Sequence, residues 1–138
     1  MTSTSRQEQE SAAEATVGVM IVDDQPAFRR AARAVVEATA GFVPVGDAAS
    51  GYEALRNADQ VGPDLVLMDV YMPGMDGLEA ARRLTEAHPG CVVVLVSLDN
   101  LEDVAAVVAS CGAVEFVRKQ ELRPGVLRGL WTAYGPRR

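Results

Sequence analysis

The chain has one lysine, one histidine and two cysteines in 138 residues, and no long apolar run. A bilayer span needs about 20 consecutive apolar residues, so no membrane segment is expected. Residues 1–16 are rich in Ser, Thr, Glu, Gln and Ala and have no apolar centre. They do not form a signal peptide, and we expect a disordered N-terminal tail. The expected location is therefore cytoplasmic, with Cys91 and Cys111 as reduced, buried thiols and no disulfide. Positive charge is short as well: the net charge is −6, which argues against direct nucleic-acid binding. No Gly-rich loop follows the first apolar run, so a phosphate cradle of the kind that flavin-type modules need is missing.

What is present is an alternation of strand and helix patterns. A chain of this length, 49% hydrophobic, forms one domain with a real core. Apolar runs at 17–22, 42–48, 64–68, 91–96 and 113–117 read as strands. The first, third and fourth are almost wholly apolar, as buried central strands of a parallel sheet are. Pro44 and Gly46 suit an edge strand in the second, and Glu115 marks the other edge. Helices are expected from Pro26 to about Thr39, from Ser50, from Asp76 to His88, from about Asp99 to Gly112, and from Pro124. Ser50 with Glu53, Asp76 with Glu79 and Asp99 with Glu102 have capping-box spacing. In the first helix Phe28, Ala31, Ala32, Val35 and Val36 face the core, while Arg29, Arg30 and Arg33 take the solvent side. The fold class is α/β: a doubly wound, five-stranded parallel sheet in the flavodoxin-like order 2-1-3-4-5, with helices on both faces. The domain is expected over residues 17–133, with a short tail at 134–138.

Four of these strands lead directly into chemistry. The first runs into Asp23 and Asp24, the third into Asp69, the fourth into Ser97, and the last into Arg118 and Lys119. Ligands of open α/β sheets sit beyond the carboxyl ends of the strands, at the switch in strand order. Neighbouring strands are about 4.8 Å apart, so Asp23, Asp24 and Asp69 can share an ion. Three carboxylates in one pocket repel one another. A hard divalent cation such as Mg²⁺, which takes oxygen ligands, relieves that repulsion. Asp69 can then serve as a nucleophile toward phosphorus. Lys119 starts two strands away, about 10 Å, and only a long cationic side chain closes that gap. Met72-Pro73-Gly74-Met75-Asp76-Gly77 supplies a tight turn after the nucleophile.

The segments Val22-Asp23-Asp24-Gln25-Pro26, Leu67-Met68-Asp69-Val70, Met72-Pro73-Gly74-Met75-Asp76-Gly77, Val96-Ser97 and Phe116-Val117-Arg118-Lys119 resemble those of two-component response-regulator receiver domains. The likeness is strongest to receivers that carry a LuxR-type output. It covers about residues 17–133. The resemblance implies a phosphoacceptor signalling domain, not an enzyme with turnover on a small substrate. Asp69 would accept the phosphoryl group. Asp24 would ligate Mg²⁺ directly, Asp23 mainly through a water, and the Tyr71 backbone carbonyl would complete the protein ligands. Lys119 would bind the phosphoryl group, and Ser97 with Phe116 would form the switch pair. The partners implied are a sensor histidine kinase or phosphotransfer protein and an unknown downstream protein, with a homodimer left open. The residues after Lys119 suffice for one helix and a tail, not for an output domain.

Two features depart from the commonest pattern. Leu98 follows Ser97 where a small residue is usual, which narrows access. The switch aromatic is Phe116, which has no hydroxyl. Leu98 keeps open a degenerate receiver that acts only as a protein-interaction module, against which the full set Asp23, Asp24, Asp69, Ser97 and Lys119 argues. An aspartyl phosphohydrolase is disfavoured, because its second acid would fall at Tyr71. His88, in the last turn of a helix, suits the helix dipole rather than a phosphorelay.

Overall fold

The computed structural model describes residues 16–136. The expected tail at 1–16 lies outside these residues except for Thr16, as do residues 137–138. Five strands form: β1 (Val17–Val22), β2 (Phe42–Ala48), β3 (Leu65–Asp69), β4 (Val92–Ser97) and β5 (Glu115–Arg118). They lie in the order β2-β1-β3-β4-β5 and every pairing is parallel. This is the flavodoxin-like order. The three central strands are buried along their whole length, because helices cover both faces. Pro44 and Gly46 sit on edge strand β2 at a shift in register against β1, where a missing ladder donor costs least.

The helices are α1 (Pro26–Glu37), α2 (Gly51–Val61), α3 (Gly77–Ala87), α4 (Val104–Cys111) and α5 (Pro124–Tyr134). Ser50 Oγ accepts the Glu53 N–H at 3.1 Å and Asp76 Oδ1 accepts the Glu79 N–H at 2.9 Å. Each such cap is worth about 1 kcal/mol. Alternation along the strands divides the core in two. Met20, Val22, Val66, Met68, Val93 and Leu95 pack against α2, α3 and α4 through Ala54, Ala58, Ala81, Leu84 and Cys111. Val19, Ile21, Leu65, Leu67, Val94 and Val96 pack against α1 and α5 through Ala32, Val36, Leu127 and Leu130. A fully buried Leu or Ile contributes about 1.5–3 kcal/mol, so both faces carry a substantial share of the stability. No helix among the described residues is long and apolar enough to cross a membrane.

Three expectations need correction. The fourth helix begins at Val104, not near Asp99. The Asp99 N–H donates to Ser97 Oγ at 3.2 Å, so the hydroxyl turns the chain at the strand end and takes the N–H that Glu102 would accept in a capping box. Asp103 then opens α4 at φ 51°, a left-handed conformation that Asp tolerates better than most residues. In α1, Ala31 is exposed rather than packed. Arg29 is drawn inward: its Nη1 donates to the Asp23 carbonyl at 2.6 Å, and its Nε lies 3.7 Å from Asp47 Oδ2. A long guanidinium stem can bury its methylenes while its head finds acceptors. His88 caps the end of α3, with Nε2 2.8 Å from Asp59 Oδ1 on α2. It ties two helices together. Cys91 and Cys111 are free thiols, and burial followed by the charge of Asp64 pushes Cys91 up to about 11.

Candidate functional site

Parallel register brings the strand tips to one edge. Val22 lies opposite Met68, Asp69 opposite Val96, and Ser97 opposite Arg118. Asp69 and Ser97 are the last residues of their strands, while Asp23 and Lys119 are the first residues after theirs. These residues therefore converge although they are far apart in sequence. A pocket of about 220 Å³ opens there, lined among others by Asp24, Asp69, Tyr71, Ser97, Leu98 and Lys119.

Asp23 forms the floor and is fully buried. Its Oδ1 accepts the Gln25 N–H at 2.8 Å, which fixes the turn into α1. Its Oδ2 has no hydrogen-bond partner but lies 2.5 Å from Lys119 Nζ, an ion pair without hydrogen-bond alignment. Asp69 is 4% exposed. Its Oδ1 accepts the Tyr71 N–H at 3.4 Å and lies 3.6 Å from Lys119 Nζ. The ligand atoms of Asp23, Asp24 and Asp69 all fall within 4.8 Å of one another. Burial first and the Asp23 charge second raise Asp69 to about 6, against the lowering effects of Lys119 and the Tyr71 N–H. One lysine does not neutralise three carboxylates, and the site keeps surplus negative charge. A clustered trio of hard oxygen donors, carrying more negative charge than one lysine offsets, fits a divalent cation.

The remaining sequence candidates fall around this centre. Ser97 is buried at the β4 tip. Tyr71, whose carbonyl was the fourth expected oxygen ligand, sits in the loop after Asp69 with its side chain 62% exposed. Leu98 is 63% exposed and stands on the pocket rim, not across it. Phe116 is half-buried and packs against the α2–α4 side of the core. Asp76 is kept out of the site by its duty as the α3 cap.

Three contacts had no signal in the sequence. Arg29 braces the Asp23 carbonyl. Gln120, in the short 3₁₀ turn Lys119–Glu121, donates from Nε2 to the Leu98 carbonyl at 3.3 Å and so pins the lysine turn to the loop after β4. Phe28, expected only as a core residue, places its ring centroid 4.6 Å from Lys119 Nζ. Helical periodicity assigns a face to such residues; it does not say which distant strand end they meet.

Comparison with known proteins accords with this arrangement. Residues 19–128 match the family described as response regulator receiver domain. The chain is 40% identical over 105 residues to a protein-glutamate methylesterase/protein-glutamine glutaminase of Hahella chejuensis, covering 75% of this chain and 30% of that protein. It is 37% identical over 103 residues to the response regulator GacA of Pseudomonas viridiflava, covering 75% of this chain and 48% of that protein. The chain thus spans less than half the length of either. Among solved structures, a LuxR-family two-component response regulator from Aurantimonas sp. SI85-9A1 superposes with TM-score 0.76 at 30% identity, covering 86% of this chain and 84% of that one. Since the match runs through most of the sequence and through every strand end that carries a charge, the chain belongs to the response regulator receiver domain family of two-component signalling.

Proposed function

We propose that this receiver accepts a phosphoryl group on Asp69, with Mg²⁺ bound, from a phosphohistidine of a sensor kinase or phosphotransfer protein, and that the modification switches binding of a downstream protein in the cytoplasm. The observation that carries this is the setting of Asp69: a nearly buried carboxylate that opens onto a pocket, with the chain's only lysine 3.6 Å away. An Asp69 oxygen attacks phosphorus, the P–N bond to imidazole breaks, and an acyl phosphate forms. At neutral pH a carboxyl with a pKa near 6 is mostly ionised, as a nucleophile must be. Lys119 and the Ser97 hydroxyl, which line the same pocket, would take oxygens of the transferred group. Asp23, Asp24, Asp69 and the Tyr71 carbonyl would hold the metal ion, which would supply neutralising charge. Ser97 and Phe116 would relay the change. The convergence of the full set Asp23, Asp24, Asp69, Ser97 and Lys119 favours this function over a degenerate interaction module.

Intact-mass analysis after incubation with Mg²⁺ and acetyl phosphate tests the proposal. One phosphoryl adduct is expected on the wild type and none on Asp69→Asn. An unmodified wild type, or equal modification of both, would refute it.

Metal titration gives a second expectation. Lys119→Met should bind Mg²⁺ about three- to tenfold more tightly, the part of the Coulomb attraction left after solvation. The lysine ammonium pairs with a carboxylate that the metal would use. Asp24→Ala should bind more weakly than wild type. Calorimetry showing weaker binding by Lys119→Met would contradict the competition.

A further inference from the structure

We propose that Phe28 is a positioning residue for Lys119: its ring is a fixed shelf that holds the ammonium beside Asp69, so Phe28 sets the rate of phosphoryl acceptance without touching the acceptor. This rests on the phosphoacceptor role of Asp69 proposed above.

Lysine has a flexible four-carbon stem and loses considerable rotamer freedom when its ammonium is confined. Here the stem begins just past β5 and must reach across to the Asp69 side of the pocket. The side chain is 9% exposed, so little water guides it. Two carboxylates attract its head, with Nζ 2.5 Å from Asp23 Oδ2 and 3.6 Å from Asp69 Oδ1. Both belong to the acidic trio whose charge any bound cation would share. Charge attraction alone would therefore let Lys119 drift whenever those carboxylates find another partner.

The ring does not compete for that charge. Its centroid is 4.6 Å from Nζ, inside the range in which an aromatic face attracts an ammonium. Phe28 is itself held firmly. It lies in the first turn of α1, its N–H donates to the Gln25 carbonyl at 3.1 Å, and its ring packs against the α1–α5 side of the core. Its neighbour Arg29 anchors the same turn to the Asp23 carbonyl. A rigid aromatic is thus set against the one flexible cation of the site.

The single lysine makes the idea directly testable. Protein grown with lysine labelled at Cε gives one side-chain signal, from Lys119. In the wild type the Hε protons should be shifted upfield by the ring. Phe28→Leu keeps apolar bulk and should return them toward the free-lysine position, and Phe28→Tyr should retain the shift. With acetyl phosphate as donor, Phe28→Leu should be phosphorylated about three- to tenfold more slowly, and Phe28→Tyr should recover most of the rate. Thermal melts of both variants separate this from loss of fold, and the Tyr variant is decisive if Leu is destabilised. An unchanged lysine signal in Phe28→Leu overturns the contact. A changed signal with an unchanged rate overturns the positioning role alone. A wild type that accepts no phosphoryl group defeats the function of Asp69, and this role with it, whatever the lysine signal does.

Discussion

Gly77→Ala should abolish phosphoryl acceptance and cost at least about 3 kcal/mol of stability. Gly77 opens α3, and its N–H donates to the Val70 carbonyl at 2.9 Å. A Cβ built at this position collides with the carbonyl oxygen of Asp69 and falls 2.8 Å from its carbonyl carbon and 2.9 Å from the Val70 Cα. These are backbone atoms at the end of a buried central strand. They cannot swing aside as a flexible side chain would, so either α3 lifts off the sheet or the Asp69 carboxylate leaves the pocket. Gly129→Ala is the control: its Cβ meets nothing within 4 Å on α5, and it should stabilise by about 0.5–1 kcal/mol. Urea denaturation read by Trp131 fluorescence gives the stabilities, and intact mass after acetyl phosphate gives the function. A Gly77→Ala protein with a wild-type midpoint would show that the close approach is not a constraint.

Asp69→Asn, in metal-free buffer, should be more stable than wild type at neutral pH by about 1–2 kcal/mol. The carboxyl is raised from 3.8 to about 6 on folding, by burial and by Asp23. A raised carboxyl stabilises the fold in its protonated form. That contribution is fully present below about pH 4 and is lost as pH climbs through about 6. Above that the folded protein carries the cost of an ionised Asp69. The full shift corresponds to about 3 kcal/mol, and solvent in the open pocket screens roughly half of it. The amide has no such titration, so the gap between variant and wild type should open between about pH 4 and pH 6 and then stay level. Urea midpoints at three pH values decide the matter. Curves that remain parallel throughout would mean that Asp69 carries no penalty.

Much of this site could be read from the chain because it is built on strand ends. Apolar runs locate the strands, a parallel sheet aligns their carboxyl ends, and the residues there, Asp23, Asp69, Ser97 and Lys119, meet by geometry alone. The errors arose where side chains chose partners outside their own element. Asp99 has good capping spacing, but Ser97 claims its N–H and α4 starts later. Arg29 sits on the border of a helical face, and the Asp23 carbonyl draws it in. Neither contact has a periodicity, so no pattern along the sequence announces it.

The two sides of the sheet differ in material. Met20, Met68, Met72 and Met75 all belong to the side under α2, α3 and α4, together with Cys111. The buried residues under α1 and α5 are Val, Ile, Leu and Ala. Unbranched thioethers change rotamer cheaply and fill irregular gaps, whereas β-branched side chains resist. The molecule therefore has a pliable half and a stiff half, joined along the strands that end in the acids. Strain introduced at those strand tips should dissipate more readily into the sulfur-rich half, where Phe116 and Leu101 also pack, than into the opposite half.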